Sequence, residues 1–268
     1  MTTRRFLVAL FAFAATAASA QELRLESAFR LNIALQEASG LAPASASSVF
    51  AHNDEYAIIY EIDIDTGDTL RAFALGAPTA KGDFEGVALA GGSVWLVASD
   101  GRLIEGRAAE HGKRSRFNVF DAGVPDDCEV EGVAPADAAG ALLLVCKQSA
   151  GKDGKPRLKM LEWSSRERWT KARLFLDRPL ADFVPDGARK DFKASDLARD
   201  PKTGDLFILN SSGGLLELGA DGALRRYDPL DRRRHPQPEG LALFGDGRIA
   251  IADEGAKREG TLSIYRRN

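Results

Sequence analysis

Cysteine and histidine are scarce in this chain, with two and three copies in 268 residues. Neither His-Glu-x-x-His nor Cys-x-x-Cys occurs, so the zinc centres built on those spacings are excluded. The Gly-x-Ser-x-Gly elbow and the phosphate-cradling P-loop are missing too, which removes the usual serine-hydrolase and nucleotide-binding signatures. Positive charge is not in excess: 36 Lys and Arg stand against 39 Asp and Glu. A nucleic-acid binder would carry a basic face, and the one compact basic run, Arg232-Arg233-Arg234, reads as a solvated loop. Beyond the first twenty residues no apolar stretch reaches the roughly 20 residues of a membrane-spanning helix. No long 3.6-residue periodicity appears there either.

What is present begins with a leader. Arg4 and Arg5 precede an apolar run of about a dozen residues, and Ala18-Ser19-Ala20 supplies the small residues a signal peptidase accepts. The reading is a signal peptide over 1–20 and a single domain over 21–268, periplasmic or secreted. Losing Arg4 and Arg5 takes the net charge from −3 to −5, with 34 basic residues against 39 acidic. In an oxidising compartment Cys128 and Cys146 can form a disulfide. The segment between them reads as strand, turn, strand, so the two cysteines would sit across an antiparallel pair.

A repeat organises the rest. Five segments align: Ala38-Ser39-Gly40-Leu41-Ala42, Phe84-Glu85-Gly86-Val87-Ala88, Val130-Glu131-Gly132-Val133-Ala134, Ala194-Ser195-Asp196-Leu197-Ala198 and Pro238-Glu239-Gly240-Leu241-Ala242. Counted on the second residue, their spacings are 46, 46, 64 and 44. A period in the forties is one four-stranded propeller blade. Each motif is followed by a turn and a β-rich apolar run, such as Val94-Trp95-Leu96-Val97 or Leu206-Phe207-Ile208-Leu209. Continuous apolar runs in an antiparallel setting imply burial on both faces. The fold expected is an all-β, five-bladed β-propeller. The fifth repeat has room for three strands only, so an N-terminal strand near residues 29–35 is expected to close the ring. The 64-residue spacing marks an insertion between Lys147 and Lys193, and a degenerate sixth blade within 148–193 is the alternative.

Inner propeller strands converge on a central channel, so one repeat position forms a ring at its mouth. That ring holds Ser39, Glu85, Glu131, Ser195 and Glu239. The ends of the second strands add Asn53, Asp54, Asp100, Lys147, Asn210, Asp253 and Glu254. Carboxylates brought together repel and raise one another's pKa, and a hard cation with six to eight oxygen ligands resolves this. Glu85, Glu131 and Glu239 are the leading Ca²⁺ ligand candidates, with Asn53, Asp54, Asn210 and Glu254 behind them. Two readings need no ion: each Glu caps its own strand, or Lys147 neutralises part of the ring as an ion pair. Asp63-Ile64-Asp65-Thr66-Gly67-Asp68 opens like an EF-hand, but Ala74 stands where the closing Glu belongs, so it is read as a hairpin turn. Of the histidines, His52 beside Asn53-Asp54 is the one candidate general base.

The order Ser, Glu, Glu, Ser, Glu, in the phrases EASGLA, DFEGVAL, EVEGVA and QPEGLAL, resembles the SdiA-regulated, YjiK-like β-propellers, which are related to NHL-repeat propellers. The resemblance spans about residues 29–265 and implies a five-bladed propeller with calcium in its central site. Two features depart from the pattern: Asp196 where Gly is usual, and a shorter first-repeat turn before Asn53-Asp54. Three functions follow as expectations. The first is an exported calcium-binding propeller that holds a small-molecule or protein ligand at the channel mouth. The second is a calcium-dependent hydrolase of a lactone, ester or phosphoester, with the ion polarising the substrate. The third is a purely structural exported protein. No recognisable catalytic motif selects the hydrolase.

Overall fold

The computed structural model describes residues 23–136, 139–255 and 258–267. The expected leader, 1–20, lies outside the described residues. Each repeat motif begins an innermost strand: Ala38–Pro43, Phe84–Ala90, Val130–Pro135, Ala194–Arg199 and Pro238–Leu243. Each leads into its own small sheet of antiparallel strands, the first with Arg114–Ser115 added in parallel at its edge, giving five sheets among the described residues. The inner strands pack side by side around a ring, with the fifth against the first. The architecture is a five-bladed β-propeller.

Blade packing explains the apolar runs. The second strands Ser93–Ala98 and Leu142–Cys146 are buried along their whole length, because each blade is covered on both faces by its neighbours. The described core accordingly falls into five apolar clusters, one at each blade interface. Phe50 and Phe73 of blade one meet Phe84 and Leu96 of blade two. Trp95 of blade two meets Trp163 of blade three edge to face, with ring centroids 5.9 Å apart.

The ring is closed from both chain ends. Leu23–Arg30 pairs antiparallel with Thr261–Arg267, completing blade five. This strand lies upstream of the expected 29–35. Residues after Leu31 turn instead, because the Asn32 side chain accepts the Ala34 N–H and caps a 3₁₀ turn at Ile33–Leu35. Leu23–Arg30 alternates half-buried and exposed residues, the pattern of an outer strand with one wet face.

The insertion is not a sixth blade. Pro156–Trp163 and Arg173–Pro179 are the third and fourth strands of blade three. A 3₁₀ turn at Leu180–Asp182 and a short helix at Asp186–Arg189 follow. Leu180, Phe183, Val184 and Phe192 are buried in the interface of blades three and four, so the insertion has no core of its own. The Asp63–Asp68 segment is a hairpin turn, with Asp63 Oδ1 accepting the N–H groups of Asp65 and Thr66. Cys128 and Cys146 are disulfide-bonded with Cα atoms 5.0 Å apart, tying the approach to blade three's inner strand to the end of its second strand.

Glycine in the motif follows from how closely the inner strands approach. A Cβ placed on Gly40 would stand 3.0 Å from Gly86 Cα, and one on Gly86 would stand 3.1 Å from Gly132 Cα. On Gly132 it would meet the Leu197 nitrogen at 2.6 Å and Asp196 Cα at 2.8 Å. These neighbours are backbone and cannot swing aside. Gly132→Ala is therefore expected to lower the unfolding free energy by about 1–3 kcal/mol. Gly187→Ala, whose Cβ meets nothing within 4 Å, should stay within about 0.5 kcal/mol of the parent. Urea unfolding of the two variants checks this; equal losses would refute the close-approach argument.

Candidate functional site

The motif's second residue sits on a β-bulge in every blade. Register breaks fall between Ala38 and Leu41, Phe84 and Gly86, Val130 and Gly132, Ala194 and Asp196, and Pro238 and Gly240. A bulge leaves its extra residue unpaired and re-aims its side chain. Here that takes Ser39, Glu85, Glu131, Ser195 and Glu239 out of the ladder at the channel mouth. Consecutive blades are also stitched there, by Phe84 N–H to the Asp54 carbonyl, Val130 N–H to Ser99 and Ala194 N–H to Lys147. Pro238 has no N–H for the matching bond, and its carbonyl instead accepts from Ser195 Oγ at 2.7 Å.

The three glutamates feel one another. Burial, then repulsion from Glu131, pushes Glu85 up to about 8. Burial, then repulsion from Glu131 and Glu254, pushes Glu239 up to about 8 as well. Glu131, only 4% exposed, is raised by burial to about 7 despite its ion pair. Lys147 is that partner, donating to Glu131 Oε1 at 2.8 Å and to Glu129 Oε1 at 3.0 Å. Burial alone would lower the ammonium's pKa, but the two carboxylates outweigh it and the net shift is upward. Ser39 Oγ bonds locally to the Glu37 carbonyl.

The other candidates divide by what already occupies them. Asn210 Oδ1 accepts from the N–H groups of Lys193 and Ser212 and from Ser212 Oγ, so it organises its loop. Asn53 Oδ1 accepts the Tyr56 N–H, and Glu254 is bonded to the Gln237 amide. Asp54 is raised by burial, and its Oδ1 is buried without a partner. Asp100 pairs with Arg102. His52 is fully buried, with Nδ1 donating to the Asn53 carbonyl at 2.9 Å and Nε2 unpartnered. Burial drives its pKa down to about 4, so the ring is neutral, and Nε2 faces the Gly40 backbone.

Among the described residues no three His, Cys, Asp or Glu side chains gather as a ligand group. Glu131 is engaged by Lys147, and the Asn210 oxygen is already used.

Two features were not legible as site elements. Asp196 occupies the fourth motif's glycine position and is fully buried. Its Oδ2 accepts the Leu241 N–H at 2.7 Å and the Leu41 N–H at 3.3 Å, and its Oδ1 accepts the Leu197 N–H at 2.7 Å. One side chain thus bridges blades four, five and one across the axis. Burial holds its carboxyl well above the usual range, with the three amides opposing. The departure from glycine is the signal that marks it. The second feature is a buried line from Asp253 Oδ2 through His235 to the Tyr265 hydroxyl, with contacts of 2.7 and 2.6 Å. It latches the closing blade, and separations of 18 and 30 residues hide it in the sequence.

Beside the ring, an open cavity of about 590 Å³ lies against blade three's insertion. Leu180, Pro156 and Phe192 give it apolar walls, Gln148, Ser149 and Lys190 give it polar ones, and its other charged groups, Asp127, Arg157, Asp186 and Arg189, are held in ion pairs. Lys147 lines it as well, so one ammonium belongs to both the cavity and the glutamate ring.

No family model matches the sequence, and no curated protein matches it. Solved structures do resemble it in fold. The PQQ-bound aldose sugar dehydrogenase of Streptomyces coelicolor superposes with a TM-score of 0.58 at 11% identity, covering 93% of this chain and 99% of its own. A streptogramin B lyase gives a TM-score of 0.51 at 11% identity, covering 92% and 98%. At these identities the likeness speaks for the propeller fold alone.

The glutamates set a pH dependence. Their folded pKa values exceed the ordinary 4.5, so between the two values the folded chain binds more protons than the unfolded one. Stability must then fall as pH rises. His52, depressed from 6.5 to about 4, acts in the opposite sense below pH 6.5 and drops out above it. The melting temperature should therefore fall from pH 6.5 to 8. A Glu85→Gln/Glu239→Gln variant should flatten that slope in thermal scans; an unchanged slope would contradict the assignment.

Proposed function

We propose that this protein is an exported binding propeller. It captures a small polar ligand in the cavity between the glutamate ring and the blade-three insertion. The observation that carries this reading is Lys147, which lines the cavity while holding Glu131 of the ring. A ligand acceptor group reaching Lys147 competes with Glu131 and Glu129, so binding and ring charge are coupled. The cavity lies within the roughly 300–1,000 Å³ range of small-molecule sites and combines apolar walls with a few convergent polar groups. The ligand class is a compact molecule rich in hydrogen-bond acceptors, neutral or anionic.

Hydrolysis is less well supported. His52, the one candidate base, is fully buried and faces backbone, with no nucleophile bonded to Nε2. The dehydrogenase and lyase among the fold's neighbours lend no residue at 11% identity. The motif order supports kinship with the SdiA-regulated, YjiK-like propellers, and the leader supports a periplasmic or secreted location. Calcium enters as a second reading, favoured by the raised pKa values of Glu85 and Glu239. A divalent cation drawn between them would relieve the repulsion that burial intensifies.

Thermal-shift screening of the mature chain against sugars, carboxylates and short peptides tests the ligand reading. A hit should lose about tenfold in affinity in Lys190→Glu, which should melt like the parent, and in Gln148→Ala, which loses a bond to the Phe192 carbonyl worth about 1 kcal/mol. Hits insensitive to both variants would place the ligand elsewhere and sink this reading. Calcium should raise the melting temperature of the parent but not of Glu85→Gln/Glu239→Gln. No response of the parent would end the calcium reading alone.

A further inference from the structure

The channel has a second, chemically opposite mouth. On the face away from the glutamates, the inner strands surround a cavity of about 390 Å³. Its floor is Leu41, Val87, Val133, Leu197 and Leu241, one residue from each blade. The motif's last residue is alanine in every repeat. Ala42, Ala88, Ala134 and Ala198 line the walls and pack into the blade interfaces. The rim adds Leu89 and Phe244, and Leu89 is solvent-exposed.

Asp196 closes this cavity from the other side. The amides of Leu41, Leu197 and Leu241, which would otherwise offer polar hydrogens at the floor, already donate to its carboxyl. The floor therefore presents carbon, and the channel ends blind.

Among the described residues the lining contains no carboxylate and one cation, Arg199. Its Nη1 donates to the Ala136 carbonyl, and its Nε donates to Gly204 at 3.3 Å. These bonds hold the guanidinium at the rim and leave Nη2 unbonded among the described residues. A carbon-walled pocket with a fixed cation at its entrance selects an apolar body with an anionic end, because burying the opposite charge or an unpaired polar group is costly. Its volume is again within the small-molecule range.

We propose that this funnel is a second binding site, for a medium-chain aliphatic carboxylate, with the chain on the leucine and valine floor and the carboxylate at Arg199. The site is separate from the Lys147 cavity, so either can fail alone.

Decanoate, decanol and decyltrimethylammonium, all below their micelle concentrations, serve as probes of the intact mature chain in calorimetric titrations. Decanoate should bind saturably at one site, and the cationic amphiphile should not bind there. Leu89→Glu, on the exposed rim, should weaken decanoate at least tenfold. Arg199→Gln should weaken decanoate about tenfold while changing decanol less than twofold, which separates lost charge from a disturbed pocket. Melting curves establish that each variant is folded. Should Arg199→Gln fail to fold, Leu89→Glu decides the matter. Absence of saturable decanoate binding, equal binding of the cationic amphiphile, or indifference to a folded Leu89→Glu would each overturn the proposal.

Discussion

The near-contact of five inner strands around one axis is the constraint on which the molecule depends. Gly40, Gly86 and Gly132 let neighbouring backbones approach to where a methyl group would collide. At the fourth position the rule is broken by Asp196, whose carboxyl turns the remaining central space into three hydrogen bonds. An unpaired buried amide costs about 1–3 kcal/mol, so a bridge serving three of them at the meeting point of three blades stabilises the centre. The blade interfaces radiate from this closure as five separate apolar clusters.

The same strands give the channel its polarity. At their starts, bulges lift Ser or Glu out of the ladder and gather acid at one mouth. At their ends, the Leu/Val-Ala step leaves a hollow of carbon. Asp196 stands between and separates the two environments, so each mouth can take ligands of its own chemistry. Lys147 adds asymmetry to the acidic side by coupling ring charge to the cavity beside blade three's insertion.

Much of the fold was legible because the motif repeats in register: a period in the forties and five glycine or aspartate positions identify both blade count and inner strand. The insertion was ambiguous, because apolar residues such as Phe183 and Phe192 look alike whether they fill a neighbour's interface or seed a blade of their own. The closing strand was placed too late in the chain, since Leu31 and Leu35 carry the same apolar signal as a strand while Asn32 turns the backbone. At the mouth, the repeat position coincides with the bulges that open each inner strand, and Lys147 was visible as an ion-pair partner for part of the ring. Asn210 could not be separated from a ligand by sequence, because its loop bonds to Lys193 and Ser212 are a matter of three-dimensional turn geometry. Asp196 was visible as an exception, but its reach across the axis was not.

The pairing of Leu23–Arg30 with Thr261–Arg267 has a kinetic consequence. Blades one to four are built from hairpins between near neighbours in sequence, whereas blade five needs the two ends of the domain to meet. Pairings of such long sequence separation form slowly, since the loop they close is almost the whole chain. Until Leu23–Arg30 docks, blade five holds only its three local strands, and the edge of Thr261–Arg267 stands unpaired. How quickly the last strand docks would set how long that edge remains open to pairing with another chain.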